Sequence, residues 1–319
     1  MDNKKILITG VTGFVGANLL RKLIDSKNDI HIIIRSTSNL WRINDIIDKV
    51  NTHICDLTNR ENVENLVLKI KPQIIFHLAV YGGYQFQKES LKIINTNLIG
   101  TINLLDACCK IGFECFINTG SSSEYGIKNK PMSENDLLEP INDYGIAKAA
   151  ATLYCQAIGR KKNLPIFTLR LFSPYGYYEG PTRLIPYLII SCLRGSDLNL
   201  ANPYAVRDFN FIKDVIDAYI ETYNNKENIF PGDIFNVGNA EQHSVQEVFE
   251  LIKRLTGYKK EPHWGKAKLR DSDNAKVWIA DNDKVKKIIG WKPLHNIENG
   301  LKKNIEWFEK HLYLYEKEK

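Results

Sequence analysis

The chain has 319 residues, of which 44% are hydrophobic, 10% aromatic and 25% charged, a balance that excludes disordered, collagen-like and low-complexity architectures. Its 43 basic and 37 acidic residues leave a net charge of +6, too thin a surplus for a nucleic-acid-binding stripe and well matched to an anionic small ligand. The length predicts two lobes rather than one small core.

Apolar strands and helical patterns alternate through the first half. Ile6-Leu7-Ile8 reads as a buried strand, followed by a helix from Gly13 to about Asp25. A strand at Ile30–Ile34, a helix over Glu61–Ile70, a strand at Ile74–Leu78 and a long helix over Asn97–Lys110 come next. The strand Cys115–Ile117, a helix over Tyr144–Arg160 and the strand Ile166–Arg170 complete the run. Continuous apolar strands spaced by helices predict an α/β fold, a Rossmann-type doubly wound parallel sheet covered on both faces. Such sheets bind ligands beyond the carboxyl ends of their strands.

After Phe172 the pattern weakens. Residues 173–206 are rich in Pro, Gly and Tyr around one apolar helix near Leu184–Leu188, and regular pattern returns at Phe209–Tyr223 and Asp233–Val237. The expected division is a dinucleotide-binding domain of residues 1–172 plus 208–237. A smaller mixed α/β substrate lobe takes 173–207 plus 238–319, with a charged tail from Lys302. No repeat of 20–50 residues is visible. The six cysteines (Cys55, Cys108, Cys109, Cys115, Cys155, Cys192) lack C-x-x-C spacing, so they read as reduced, mostly buried residues, and no metal site is expected. Met1-Asp2-Asn3-Lys4-Lys5 runs straight into a strand without signal-peptide anatomy, and no apolar run approaches the ~20 residues that span a bilayer. The expectation is a soluble, cytoplasmic protein with neither membrane nor nucleic acid as partner.

The first strand empties into Thr9-Gly10-Val11-Thr12-Gly13-Phe14-Val15-Gly16 and then a helix. Glycines at this spacing permit a tight turn, close approach of backbone to a pyrophosphate, and tight helix–strand packing. The helix N-terminus supplies amide donors and partial positive charge. Glycine triplets also mark plain turns; the strand before and helix after favour a dinucleotide. The end of the second strand carries Arg35-Ser36-Thr37-Ser38, with Arg42 nearby, where an NAD-binding chain usually places a carboxylate against the ribose 2′-hydroxyl. A cation with hydroxyls suits a 2′-phosphate, which points to NADP(H); a surface arginine after a strand is the alternative, and NAD(H) then follows.

Tyr144 and Lys148 stand one helical turn apart on one face. A nearby cation favours phenolate and is expected to lower the tyrosine pKa from about 10 toward acid/base use. The spacing alone proves little among 15 tyrosines, since Tyr84/Lys88, Tyr313/Lys317 and Tyr315/Lys319 share it. Context separates Tyr144: its helix is rich in alanine, and the preceding strand releases Ser121-Ser122-Ser123 just upstream.

With these residues in place, the chain resembles the extended short-chain dehydrogenase/reductases over nearly its whole length, in the nucleotide-sugar epimerase/dehydratase/reductase branch. The resemblance implies that Gly10, Thr12, Gly13, Phe14, Val15 and Gly16 form the cofactor loop and that Asp56-Leu57 contacts adenine. It further implies that Leu78-Ala79 lies beside the cofactor and that Asn97 opens an interface helix of a homodimer. Ser121, Tyr144 and Lys148 match the family's catalytic trio, Tyr144 and Lys148 also holding the nicotinamide ribose. Arg207-Asp208-Phe209 resembles the family motif whose arginine contacts the substrate diphosphate, and Arg270 resembles the second diphosphate arginine. Two guanidinium groups facing a pyrophosphate bind it strongly, although each alone also reads as a solvated charge. Tyr81, Ser122, Ser123, Ser173 and Arg183 complete the expected substrate contacts. Ser173-Pro174 replaces the Asn-Val common in relatives, and Arg183 has helix capping as its alternative.

Departures from the family pattern narrow the reaction. The related 4,6-dehydratases and decarboxylases need a glutamate just after the catalytic hydroxyl residue, where this chain has Ser122 and Ser123; Glu124 lies one residue late. The double epimerase–reductases use a Cys and a His, and Phe172–Tyr178 holds no histidine. Two hydride chemistries remain. The expected one is NADPH-dependent reduction at carbon 4 of a nucleotide-activated 4-keto deoxy sugar, in the style of CDP-abequose synthase and of deoxysugar supply for lipopolysaccharide or capsule. The alternative is a nucleotide-sugar 4-epimerase with retained NAD. A non-catalytic dinucleotide-sensing protein is the competing class.

Overall fold

A computed structural model describes residues 1–316 of the chain. Its centre is a parallel sheet assembled in chain order from β1 (Lys5–Thr9), β2 (Asp29–Ile34), β3 (Asn51–Ile54), β4 (Ile74–His77), β5 (Cys115–Ser121) and β6 (Ile166–Leu171). After the two-residue strands β7 (Pro174–Tyr175), β8 (Val206–Arg207) and β9 (Asn210–Phe211), the seventh central strand, β10 (Ile234–Val237), joins beside β6. The spatial order is β10-β6-β5-β4-β1-β2-β3. Strand order therefore reverses between β1 and β4, which opens the ligand crevice at their carboxyl ends.

Alternation along the strands sorts the core into two layers. Ile6, Ile8, Ile74, Phe76 and Ile117 pack on one face, where α1 (Phe14–Leu23) and α7 (Ile212–Asn224) lie. Leu7, Ile33, Ile75 and Phe116 pack on the other, beneath α2 (Arg60–Ile70) and α4 (Gly100–Ile111). Both faces are dry, so the strands need no polar alternation, and they read as continuous apolar runs. β3 escapes that signature: it is an edge strand of sequence Asn-Thr-His-Ile whose last residue, Ile54, is exposed.

The helix expected to begin at Asn97 begins earlier. α3 (Ser90–Ile94) runs into a wide turn of π type over Asn95–Ile99 and continues as α4. Such a turn inserts one residue and re-aims a side chain; here the buried one is Asn97. α5 (Asp143–Lys162) starts where the Asn142 side chain accepts the Gly145 amide and stops at Asn163 in the left-handed conformation.

The later elements are α6 (Leu184–Arg194), β11 (His243–Ser244) paired with β8, α8 (Val245–Thr256), α9 (Asp283–Ile289) and α10 (Ile297–His311), and Leu188, Phe249, Leu301 and Phe308 from them share one core with the sheet residues Ile6 and Phe76. The charged stretch that starts at Lys302 lies mostly in α10. Leu301, Ile305 and Phe308 form a buried stripe at helical spacing, and the charges lie between them. Tyr125, Met132, Phe172, Ala275, Trp278 and Ala280 form a separate small core that joins late segments to the end of β5.

Candidate active site

The glycine loop leaves β1 toward the crevice, and its glycines are required by geometry. Gly10 has φ +73°, and a Cβ there would lie 2.4 Å from the Leu78 carbonyl and 2.5 Å from the Ala79 nitrogen. A Cβ on Gly16 would stand 2.3 Å from the Gly10 oxygen, and one on Gly13 at 3.1 Å from the same atom. The loop is thus a bare-backbone cradle ahead of α1, pressed against the end of β4, with Thr12, Phe14 and Val15 half-buried along it. Thr9 fixes this seam: its hydroxyl accepts the Ala79 amide at 3.2 Å and bonds His77 Nδ1 at 2.8 Å. His77 Nε2 in turn meets the Thr101 hydroxyl at 2.8 Å on α4. Burial, then the charge of Lys148, pushes His77 down to about 3, so the ring is a neutral strut.

Past the end of β3, Asp56 accepts the Thr58 amide and hydroxyl through one oxygen, and Leu57 packs under Gly100. Arg35 and Ser36 are exposed at the end of β2. Arg42 is not available beside them: its guanidinium donates to the Tyr178 carbonyl at 2.7 Å and to the Thr12 carbonyl at 3.1 Å. The cation expected for a 2′-phosphate, Arg35, therefore stands with the neighbouring hydroxyls and without Arg42.

Ser121 ends β5, and Tyr144 and Lys148 rise on the first turns of α5. A Ser121 hydrogen bond reaches the Tyr144 phenol. Lys148 is 3% exposed and forms no salt bridge among the described residues. Burial raises the Tyr144 pKa, with the Ser121 bond and the field of Arg183 pulling it down. This reverses the sequence expectation: desolvation of the phenol outweighs the nearby cations, and the Lys148 charge is felt at His77 instead. Burial likewise lowers the Lys148 ammonium, opposed by Glu124.

Beneath this trio lies a network whose role the sequence did not reveal. Glu124 is fully buried; one oxygen accepts the Ser121 amide at 2.8 Å and the Thr152 hydroxyl at 3.0 Å, and the other takes Arg170 Nε at 2.7 Å. Arg170 also donates to the Tyr125 hydroxyl at 2.8 Å, which donates to Asn236 at 2.7 Å. The network ties β5, α5, β6 and β10 together directly under Ser121. Ser122 is turned the other way, its hydroxyl accepting Trp278 Nε1 at 3.1 Å in the small core, while Ser123 gives its amide to the Ser121 hydroxyl at 3.1 Å.

The remaining expected contacts come from the segments after β4 and β6, from β8 and from the stretch before α9. Tyr81 is clamped by Asn97, which accepts the Tyr81 amide at 2.8 Å and donates to its carbonyl at 2.7 Å; the phenol turns out to Glu89. Arg183 donates to the Gly83 carbonyl and lies 4.5 Å over the Tyr84 ring, and its side chain does not cap α6. Arg207 pairs with Asp273 and the Ser272 hydroxyl, both at 2.7 Å, over the Trp278 ring. Burial, then the fields of Arg183 and Arg207, lowers the Arg270 guanidinium. Ser173 is half-buried and its carbonyl accepts the Asn210 amide. One contributor went unnoticed in the sequence: Trp278, which supports Ser122 and Arg207 together.

The glycine cradle, the neutral His77 strut and the hydroxyl–phenol–ammonium trio fit a bound dinucleotide. Comparison with known proteins agrees: residues 6–238 match the model of the NAD-dependent epimerase/dehydratase family. This chain belongs to that family. It is an NAD(P)-dependent enzyme class. The chain is 26% identical to UDP-glucose 4-epimerase of Lactobacillus helveticus, over 98% of this chain and 99% of the relative. Among solved structures, UDP-glucose 4-epimerase of Thermotoga maritima with UDP-glucose is 28% identical, with TM-score 0.87 over 96% of this chain and 99% of that one. dTDP-glucose 4,6-dehydratase of Bacillus anthracis in complex with NAD is 25% identical, with TM-score 0.85 over 98% of both chains. Among the described residues no cluster of His, Cys, Asp or Glu could hold a metal ion, and no helix is long and apolar enough to cross a membrane.

Proposed function

We propose that this protein is a nucleotide-sugar 4-epimerase that works on a nucleoside-diphosphate hexose with NAD. One observation carries the reading. The Ser121–Tyr144 pair stands beside the buried Lys148, whereas the Glu124 carboxylate is locked to Arg170 and the Ser122 hydroxyl to Trp278. The positions after Ser121 thus offer a proton carrier for oxygen but no free carboxylate for elimination, which disfavours the dehydratase chemistry of some relatives.

The Gly10–Gly16 amides would hold the pyrophosphate of the dinucleotide, Asp56 and Leu57 its adenosine, and Tyr144 and Lys148 its nicotinamide ribose. NAD supplies the hydride acceptor and donor when bound. The chain's own residues handle the rest. Tyr144 takes the proton from the carbon-4 hydroxyl and later returns it, Ser121 hydrogen-bonds the same oxygen, and the Lys148 charge favours the phenolate once a ligand excludes water. Arg207 and Arg270 would grip the diphosphate, with Asp273 giving up part of its hold on Arg207.

A second reading has one observation in its favour: Arg35 and Ser36 stand exposed at the end of β2, and residues 35–42 hold no carboxylate. That arrangement suits NADPH and net reduction of a 4-keto sugar. A homodimer through α4 and α5 belongs to the same proposal, supported by the exposed Ile146 and Leu153, seven residues apart on one side of α5.

The test is incubation with UDP-glucose and a panel of other nucleoside-diphosphate hexoses, with carbon-4 configuration read by proton NMR. The expected result is inversion at carbon 4 of at least one sugar without added reductant. Tyr144→Phe should slow turnover by about 10²–10⁴-fold while leaving sugar-nucleotide binding intact. Consumption of NADPH with a 4-keto-6-deoxy nucleotide sugar, and no inversion, would replace the epimerase by the reductase.

A further inference from the structure

Arg42 lies between β2 and β3, is 9% exposed, and turns its guanidinium onto two backbone oxygens. Nε donates to the Tyr178 carbonyl and a terminal nitrogen to the Thr12 carbonyl. The two acceptors are far apart in sequence: Thr12 sits in the glycine loop, Tyr178 in the segment between β7 and α6. The Thr12 bond matters because of peptide geometry. In a trans peptide the C=O and N–H point in opposite directions, and here the Gly13 amide donates to the Gly10 carbonyl at 3.0 Å. The Thr12–Gly13 peptide is thus held at both poles, by Arg42 at its oxygen and by Gly10 at its nitrogen. Gly13 is the N-cap of α1 and has no side chain to cap with. The amides of Phe14, Val15 and Gly16 follow directly, and first-turn amides have no partner inside their own helix. The direction of this one peptide therefore sets where they point.

Arg42 is itself held from several sides. Its carbonyl accepts Arg21 of α1 at 2.7 Å, and Arg21 grips Asp45 through two nitrogens at 2.9 and 2.6 Å. Its guanidinium lies 4.3 Å over the Trp41 ring, and Trp41 meets Tyr315 edge-on with ring centroids 5.4 Å apart. At the other end of the bridge, Tyr178 has φ +64°, a left-handed backbone that a residue with a Cβ adopts where its surroundings impose it. The Tyr178 ring packs against Trp307 of α10 at 4.8 Å, and the Tyr177 carbonyl accepts the Asn18 side chain of α1 at 2.8 Å. The Arg42 fork closes a frame made of α1, the stretch after β2, residues 177–180 and α10, and the glycine loop is tied into it.

We propose that Arg42 is a positioning residue for the bound dinucleotide: by bridging the Thr12 and Tyr178 carbonyls it fixes the Thr12–Gly13 peptide and so aims the first amides of α1 at the pyrophosphate. This rests on the dinucleotide reading of the glycine loop and is the same for an epimerase and a reductase. A lysine keeps the charge but lacks the planar fork that meets both carbonyls, and an alanine removes both bonds.

The experiment loads wild type, Arg42→Ala and Arg42→Lys with saturating NAD, or with NADP where wild type takes that instead. Its displacement by excess isotope-labelled dinucleotide is followed by mass spectrometry of the protein-bound fraction. Arg42→Ala should release the dinucleotide about tenfold faster, the effect of one lost hydrogen bond from a charged group, and Arg42→Lys about threefold faster. Hydrogen exchange of the same loaded proteins should quicken in peptides covering residues 10–18 and stay at the wild-type rate in β5 and β6. Release from Arg42→Ala at the wild-type rate would overturn the assignment, as would exchange that quickens equally in β5 and β6. Should the alanine variant fail to fold, Arg42→Lys decides: release at the wild-type rate would show that a charge suffices and would overturn the bridge. Wild type that holds neither NAD nor NADP would instead overturn the dinucleotide reading beneath it.

Discussion

Ser121 and Tyr144 come from different elements, and their meeting depends on side chains below them. The buried Glu124–Arg170 pair costs desolvation, which two charge-assisted hydrogen bonds and the Tyr125 hydroxyl help to offset. Removing one partner of such a pair typically costs about 3–5 kcal/mol, because the other charge is left buried alone. His77 is the second such residue. Its pKa falls from the ordinary 6.5 to about 3 in the folded protein, so its neutral form is the folded form. Below pH 6.5 the unfolded chain binds a proton that the folded chain refuses. His77 therefore contributes stability that is present above pH 6.5 and is lost as pH falls toward 3. Urea unfolding at several pH values checks this. Between pH 6 and 4 the wild type should lose up to about 1.4 kcal/mol per pH unit more than His77→Gln, and equal slopes would refute the neutral strut.

At the scale of elements, the contact of the glycine loop with the end of β4 decides whether a dinucleotide can enter. Gly10→Ala would force a Cβ onto the Leu78 and Ala79 backbone at a positive φ. It should cost about 2 kcal/mol or more in stability and abolish the rise in melting temperature that saturating NAD gives wild type. A variant that melts later with NAD, as wild type does, would show that the cradle is not the binding site. This element was legible in the sequence because its signal is local: strand, glycines and helix lie within a dozen residues. The π turn was not, since Asn95–Ile99 carries ordinary helix formers and only the pairing of Asn97 with Tyr81 shows what the turn does. β3 was missed for the opposite reason: an exposed edge needs no apolar run.

Across the whole molecule, what could be read in the sequence and what could not divide by distance along the chain. The parallel sheet follows from periodicity, whereas Ser121, Tyr144 and Lys148 stood out only once the family resemblance was added to a spacing that three other Tyr–Lys pairs share. Glu124 looked like a misplaced base because its partner Arg170 lies 46 residues away. Arg42 lies near Arg35 in the sequence, but the fold turns it onto the Thr12 and Tyr178 carbonyls. The most direct measurement is to denature the purified protein and identify the released dinucleotide by mass spectrometry. Near-stoichiometric NAD is the predicted result; protein that releases NADP(H), or no dinucleotide, would contradict the epimerase account.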